Sequence, residues 1–271
     1  CMLNTGQKHR SFLVRSKWLF PVSCRPLENA WIRVERGAVT GFGVWPPRKD
    51  TGIEVIDQGN TIITPGFVNA HSHLEFSSCQ KPFDTTGALH EWIREVVSWK
   101  RSQYTPSTTA HKKITAAIVS GINESAAYGV VALGEIATSD IPYNEISGRL
   151  RLRVFQEVLG LNQSTTNSLP SQVVSNLRSF QRLSRANVAV GLSPHAPYST
   201  QWHIGRAALA AAKCNLDCFR RRARHNTCVT PLAMHLAESK FEEEFLIKQT
   251  GPFRELFNEL DIWPEATPKL A

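Results

Sequence analysis

A chain of 271 residues with 42% hydrophobic and 20% charged side chains carries enough apolar material for a sizeable core, which excludes wholesale disorder. No run approaches the ~18 apolar residues of a membrane span. The opening CMLNTGQKHR lacks the basic-then-apolar pattern of a signal peptide, so the reading is cytoplasmic, with no membrane partner.

The net charge is +8, from 31 basic and 23 acidic residues. Half of that excess sits in FRRRAR, with Arg220, Arg221, Arg222 and Arg224. A solvated basic face accounts for such a run more simply than nucleic acid does. Cys1, Cys24, Cys79, Cys214, Cys218 and Cys228 are scattered through a chain too long to need disulfide staples, which suits reduced thiols. Cys214, Cys218, His225 and Cys228 lie close together, but their gaps do not match the paired CxxC pattern of a structural zinc.

In chain order, residues 1–64 read as a small all-β unit. SFLVRSKWLF, AWIRVERGAVTGFGVW with a turn at Gly37, and IEVIDQGNTIITPG all alternate and are rich in β-branched residues. From residue 65 to 271 the pattern changes to apolar strands separated by helix-period segments. The expected strands are 66–74, 129–137, 150–160, 188–198 and 230–238. The expected helices are 87–103, 108–128, 171–184, 200–213 and 239–260. Such alternation makes this an α/β chain with a parallel sheet covered by helices. Periodicity alone leaves a barrel and a doubly wound sheet open.

Chemistry enters where polar residues sit on those strands. His71, His73, His195 and His235 fall at or near expected C-terminal strand ends, the edge where parallel α/β sheets build ligand sites. His71 and His73 form an H-x-H pair, and period-two geometry points both imidazoles to one face, as half of a metal site would require. Two histidines sharing a solvated sheet face would look the same. His235 offers a third ligand, and Glu238 after it a carboxylate able to move a proton. The plainer alternatives are a satisfied core histidine and a residue of the next helix. Glu242 to Glu244, in that helix, read as a solvated face. In SPHAPYST, Pro194 and Pro197 stiffen the loop around His195, which suits a substrate contact or a purely structural histidine.

ITPGFVNAHSHLEFS, SPHAPYST and PLAMHLAES, in this order, resemble the amidohydrolase superfamily and its cytosine deaminase-like and chlorohydrolase-like branch. The similarity extends to its aminodeoxyfutalosine and methylthioadenosine/S-adenosylhomocysteine deaminases. It implies a metal-dependent (β/α)8 TIM barrel with a small β-sandwich built partly from the N-terminal segment. It also implies one divalent ion, zinc or iron(II), on His71, His73 and His235. Glu238 resembles the proton shuttle and His195 the substrate-facing histidine. Trp92, in GALHEWIREVVSWKR, would stack on a heterocycle or else be a core residue of an amphipathic helix with Ile93, Val96 and Val97. Glu157 at the end of the third strand either lines the pocket or merely closes the strand.

The implied activity is hydrolysis of a non-peptide C–N bond, as a deaminase of an amino-purine nucleoside or related small heterocycle. A cyclic-amide hydrolase, a dechlorinase and an inactive fragment are the alternatives. The family adds a histidine after the sixth strand and an aspartate after the eighth, and this chain reaches Ala271 after about five β/α units. It therefore reads as C-terminally truncated, with weak metal binding and little turnover by itself. A second copy of the chain, as a homo-oligomer, or a partner would otherwise supply the missing wall. CNLDCFRRRARHNTCV (214–229) reads as an insertion relative to the family.

Overall fold

The computed structural model describes residues 11–48, 52–83, 87–103, 108–139, 141–160, 187–220 and 230–262. The chain falls into two compact units, Cys1–Gly66 and Phe67–Ala271.

The first unit is one five-stranded sheet built from β1 (Phe12–Leu19), β2 (Leu27–Glu35), β3 (Ala38–Val44), β4 (Glu54–Asp57) and β5 (Ile62–Ile63). β2 and β3 form an antiparallel hairpin whose turn residues Arg36 and Gly37 both have positive φ, 52° and 78°. That is the twist a two-residue hairpin loop demands, and glycine supplies half of it without strain. β4 and β5 return parallel to β1, and Phe12, Leu13, Leu19 and Ala30 are buried.

The second unit is built on four parallel strands in the order β6 (Phe67–Ser72), β7 (Val130–Ala137), β8 (Arg151–Val158), β9 (Val188–Pro194). Apolar residues at helical spacing cover one face. Ile114, Ile118 and Ile122 of α2 (Thr108–Ala127) pack with Leu152, Val154 and Val190 of the sheet. Ile204 and Ala208 of α4 (Trp202–Arg220) join the same core; the short α3 (Tyr143–Ile146) lies between β7 and β8. β6 is the edge of this sheet among the described residues, and its Phe67 and Val68 are 61% and 69% exposed.

Two expectations need correction. The segment expected as a fifth strand, 230–238, is extended but makes a single parallel bridge, Leu192 with Leu232. Pro231 has no N–H to donate, and Ala237 turns the chain away with φ at 57°. The single helix expected over 239–260 is two, α5 (Lys240–Lys248) and α6 (Pro252–Glu259). Gln249 and Gly251 take positive φ, and Pro252 begins the second helix. α1 spans Leu89–Gln103. The expected helix 171–184, Cys1, and residues 221–229 with Arg221, Arg222, Arg224, His225 and Cys228 lie outside the described residues. Among the described residues no helix is long and apolar enough to cross a membrane.

Candidate metal centre

The imidazoles expected to converge do so. β6 pairs with β7 through a bulge between Asn69 and Ser72, and the freed His71 N–H donates to Asn69 Oδ1 at 3.2 Å. A bulge re-aims the side chains beyond it. Here His71 and His73 leave the strand end on one side, with Nε2 atoms 3.3 Å apart. The same bend brings the Ala70 carbonyl against Gly134, where an added Cβ would lie 2.1 Å from that oxygen.

His235 arrives on the segment beside β9, its N–H donating to the His195 carbonyl at 2.8 Å. Its ring centroid is 4.7 Å from that of His71 and 5.2 Å from that of His195. One ligand atom from each of His71, His73 and His235 lies within 4.8 Å of the other two. His195 stands beside this trio, with Nδ1 hydrogen-bonded to Ser199 Oγ.

Glu238 touches the trio from outside. Its Oε1 is 3.1 Å from His235 Nδ1, and its Oε2 accepts from the Tyr198 hydroxyl at 3.0 Å. The turn that carries it is held by Glu242, whose carboxylate accepts from Ala237 N at 3.3 Å and Glu238 N at 2.7 Å. Ser239 caps α5, its Oγ accepting from Glu242 N at 3.2 Å. Glu242 is therefore 1% exposed and not part of a solvated face. The triple acid hid a buried residue because three identical neighbours on a helix cannot all face one way.

Burial favours the neutral form of His71, His73 and His195. It pushes His73 down to about 3, helped by the His71 and His195 rings and by Lys100. Burial and then His235 lower His195 to about 4. Burial and His235 also lower His71, against the pull of Glu238. Neutral imidazoles present the lone pairs that zinc or iron(II) takes.

Sequence reading missed a second layer of acids. Glu135, 1% exposed at the end of β7, accepts from Leu74 N at 3.0 Å, Tyr143 Oη at 3.1 Å and Ser72 Oγ at 3.3 Å. It thereby pins the residues on either side of His73, and burial pushes its carboxyl up to about 8. Glu75, 3% exposed, meets Lys100 Nζ at 2.7 Å and Thr138 Oγ1 at 2.8 Å. The available signal was a carboxylate interrupting an apolar run at its C-terminal edge, as in GVVALGEIA.

Over the histidines lies a cavity of about 620 Å³. α1 contributes Trp92, Ile93, Val96, Val97 and Lys100, and Phe257, Leu260 and Ile262 line it as well. Glu157, His195 and Glu238 also line it, so every candidate site residue borders one space. α6 is seated by Tyr198, Phe245, Phe253 and Phe257, and by a bidentate pair from Arg94 of α1 to Glu259 at 2.8 and 3.2 Å.

No family model matches the sequence. An aminodeoxyfutalosine deaminase of Nitratiruptor sp. is 26% identical over 205 residues, 74% of this chain and 45% of that protein. The chain thus spans about half the length of the curated relatives it matches. Among solved structures, Helicobacter pylori aminofutalosine deaminase in complex with methylthio-coformycin superposes with a TM-score of 0.74. It shares 21% identity, over 95% of this chain and 58% of that one. An adenosine deaminase from Xanthomonas campestris with bound zinc gives 0.57 at 13% identity, over 93% and 55%. In sequence and in fold, then, the chain resembles the deaminases of the amidohydrolase superfamily, as its three motifs implied.

Proposed function

We propose that this chain carries the metal-dependent hydrolase site of a cytoplasmic deaminase acting on an amino-purine nucleoside or a related heterocycle. In this reading β6 to β9 and the segment at 231–235 are the first five strands of a (β/α)8 barrel. The N-terminal sheet is part of a β-sandwich. The observation that carries the proposal is the meeting of His71, His73 and His235 within 4.8 Å, with Glu238 3.1 Å from one of them.

Three imidazoles suit zinc or iron(II), and the zinc-bound structural neighbour supports zinc. When bound, the ion supplies Lewis acidity that makes water a nucleophile near neutral pH. Glu238 does the proton work. It takes a proton from the attacking water at Oε1, while Tyr198 keeps Oε2 in place. It passes that proton to the ring nitrogen beside the reacting carbon, then takes the second proton from the hydroxyl now on that carbon and gives it to the departing amine. A ring carbonyl with a protonated ring nitrogen and ammonia result. His195 is held at Nδ1 by Ser199, which leaves Nε2 to hold the heterocycle. Trp92 offers a flat face to the same ring, and the apolar walls exclude bulk water.

Ammonia release from adenosine by the zinc-loaded chain tests the reading. With three imidazoles and no carboxylate in the clustered ligand set among the described residues, turnover is expected to be slow and to need excess zinc. Glu238→Gln should lower it at least ~100-fold with zinc content unchanged. Chloride release from a chlorinated heterocycle, or opening of a cyclic amide, in place of ammonia would favour the alternative reactions. A zinc-loaded chain that neither binds nor deaminates adenine nucleosides would overturn the proposal.

A further inference from the structure

Beyond the reacting groups, the cavity holds one more polar cluster. On β8 the alternate residues Leu152, Val154 and Val158 pack into the helix-covered core, which turns Arg153, Phe155 and Glu157 to the other face. The lower ring, Phe155, fills the space beside Gly191, where a Cβ would sit 2.5 Å from it. Glu157, the last of the three, borders the cavity and makes no hydrogen bond among the described residues.

Near it lies Lys100, whose ammonium donates to Glu75 Oε1 at 2.7 Å and Thr138 Oγ1 at 3.0 Å. An ammonium has three donors, so one is left for the cavity. Thr138 in turn donates to Glu75 Oε2 at 2.8 Å, which closes a ring that fixes the lysine head. Burial pushes Glu157 up to about 7, with Lys100 pulling it down and Glu75 pushing it up.

We propose that Glu157 and Lys100 are a hydroxyl-reading pair that takes the sugar of the nucleoside, an assignment that rests on the function proposed above. A hydroxyl donates and accepts through one oxygen, and a carboxyl beside a spare ammonium donor is its complement. Val96, Val97 and Leu159, which also line the cavity, offer a hydroxyl no side-chain partner. An anionic group is a poorer fit. The charge of Lys100 is already balanced by Glu75, and an ionised Glu157 repels a phosphate or carboxylate. The cluster therefore selects a neutral, hydroxylated substrate over a charged one.

The experiment is calorimetric titration of the zinc-loaded chain in a Glu238→Gln background, so that nothing is turned over. The ligands are adenosine, 2′,3′-dideoxyadenosine and adenosine 5′-monophosphate. Adenosine should bind about 10-fold or more tighter than the dideoxynucleoside, the usual worth of hydrogen bonds to charged groups. The monophosphate should bind no tighter than adenosine. Adding Glu157→Ala should bring the first ratio close to one, mainly by weakening adenosine. Lys100→Met should act in the same direction and gives a second arm should the alanine variant fold poorly.

A ratio near one in the parent, or a ratio unchanged by both substitutions, overturns the assignment and leaves the deaminase reading standing. Tighter binding of the monophosphate overturns it in favour of an anion site at Lys100. Absence of binding by all three nucleosides overturns the functional reading and this assignment with it.

Discussion

Replacing Gly134 with alanine is expected to disable the proposed metal centre without touching any of the three histidines assigned to it. The new Cβ would stand 2.1 Å from the Ala70 carbonyl oxygen and 2.7 Å from its carbon, both of them backbone atoms. Ordinary contact begins near 3.4 Å, so the Ala70 peptide must retreat by about 1 Å. Its next residue is His71, on a strand already bent by a bulge, so the imidazole moves with it. Metal–nitrogen distances tolerate only about 0.2 Å. The expected loss of zinc affinity is therefore ~10–100-fold. Overpacking should also cost about 1–3 kcal/mol of stability. Competition against a chromophoric chelator reads the first effect and urea unfolding the second. Gly205→Ala is the control. Apart from its chain neighbours and its own helix backbone, nothing lies within 4 Å of that Cβ, and a helical glycine-to-alanine change should be neutral or slightly stabilising. A Gly134→Ala protein with parental zinc affinity would refute the argument that this close approach positions His71.

Three further outcomes are expected. Glu242→Ala strips an acceptor from two backbone N–H groups and should cost about 1–3 kcal/mol in urea unfolding, whereas Glu243→Ala, on the exposed side, should stay within about 0.5. Phe253→Ala, in the buried cluster under α6, should cost about 3–5 kcal/mol, whereas Arg94→Ala should cost about 1 or less because its pair with Glu259 is exposed. The third concerns pH. Burial raises Glu135 from 4.5 to about 8, so between those values the folded chain keeps a proton that the unfolded chain has lost. Stability should fall as pH rises through that window, by up to about 1.4 kcal/mol per pH unit. Glu135→Gln carries no such proton and should gain on the parent with rising pH; parallel stability curves from pH 5 to 8 would contradict this.

How much was legible in the sequence depends on whether neighbours along the chain or neighbours in space decide an outcome. Strand positions, the helical faces of α1 and α2, and the nomination of His71, His73, His195, His235 and Glu238 came from periodicity and from polar residues at strand ends. Those are local signals, written within a few residues of each site. The resemblance to the amidohydrolase motifs rested on the same short segments. Tertiary structure alone decided what those residues do to each other. His71 and His235 are 164 positions apart, and only the pairing β6-β7-β8-β9 and the bridge beyond it bring their rings to 4.7 Å. Glu242 and Glu243 share composition and helix, yet the path of the turn at Ala237 buries one and leaves the other in water. Glu75, Lys100, Thr138 and Glu157 come from four separate segments and look unremarkable in each. The charge they share exists only because four chain segments end around one cavity, where low dielectric makes every unpaired group costly and every pairing specific.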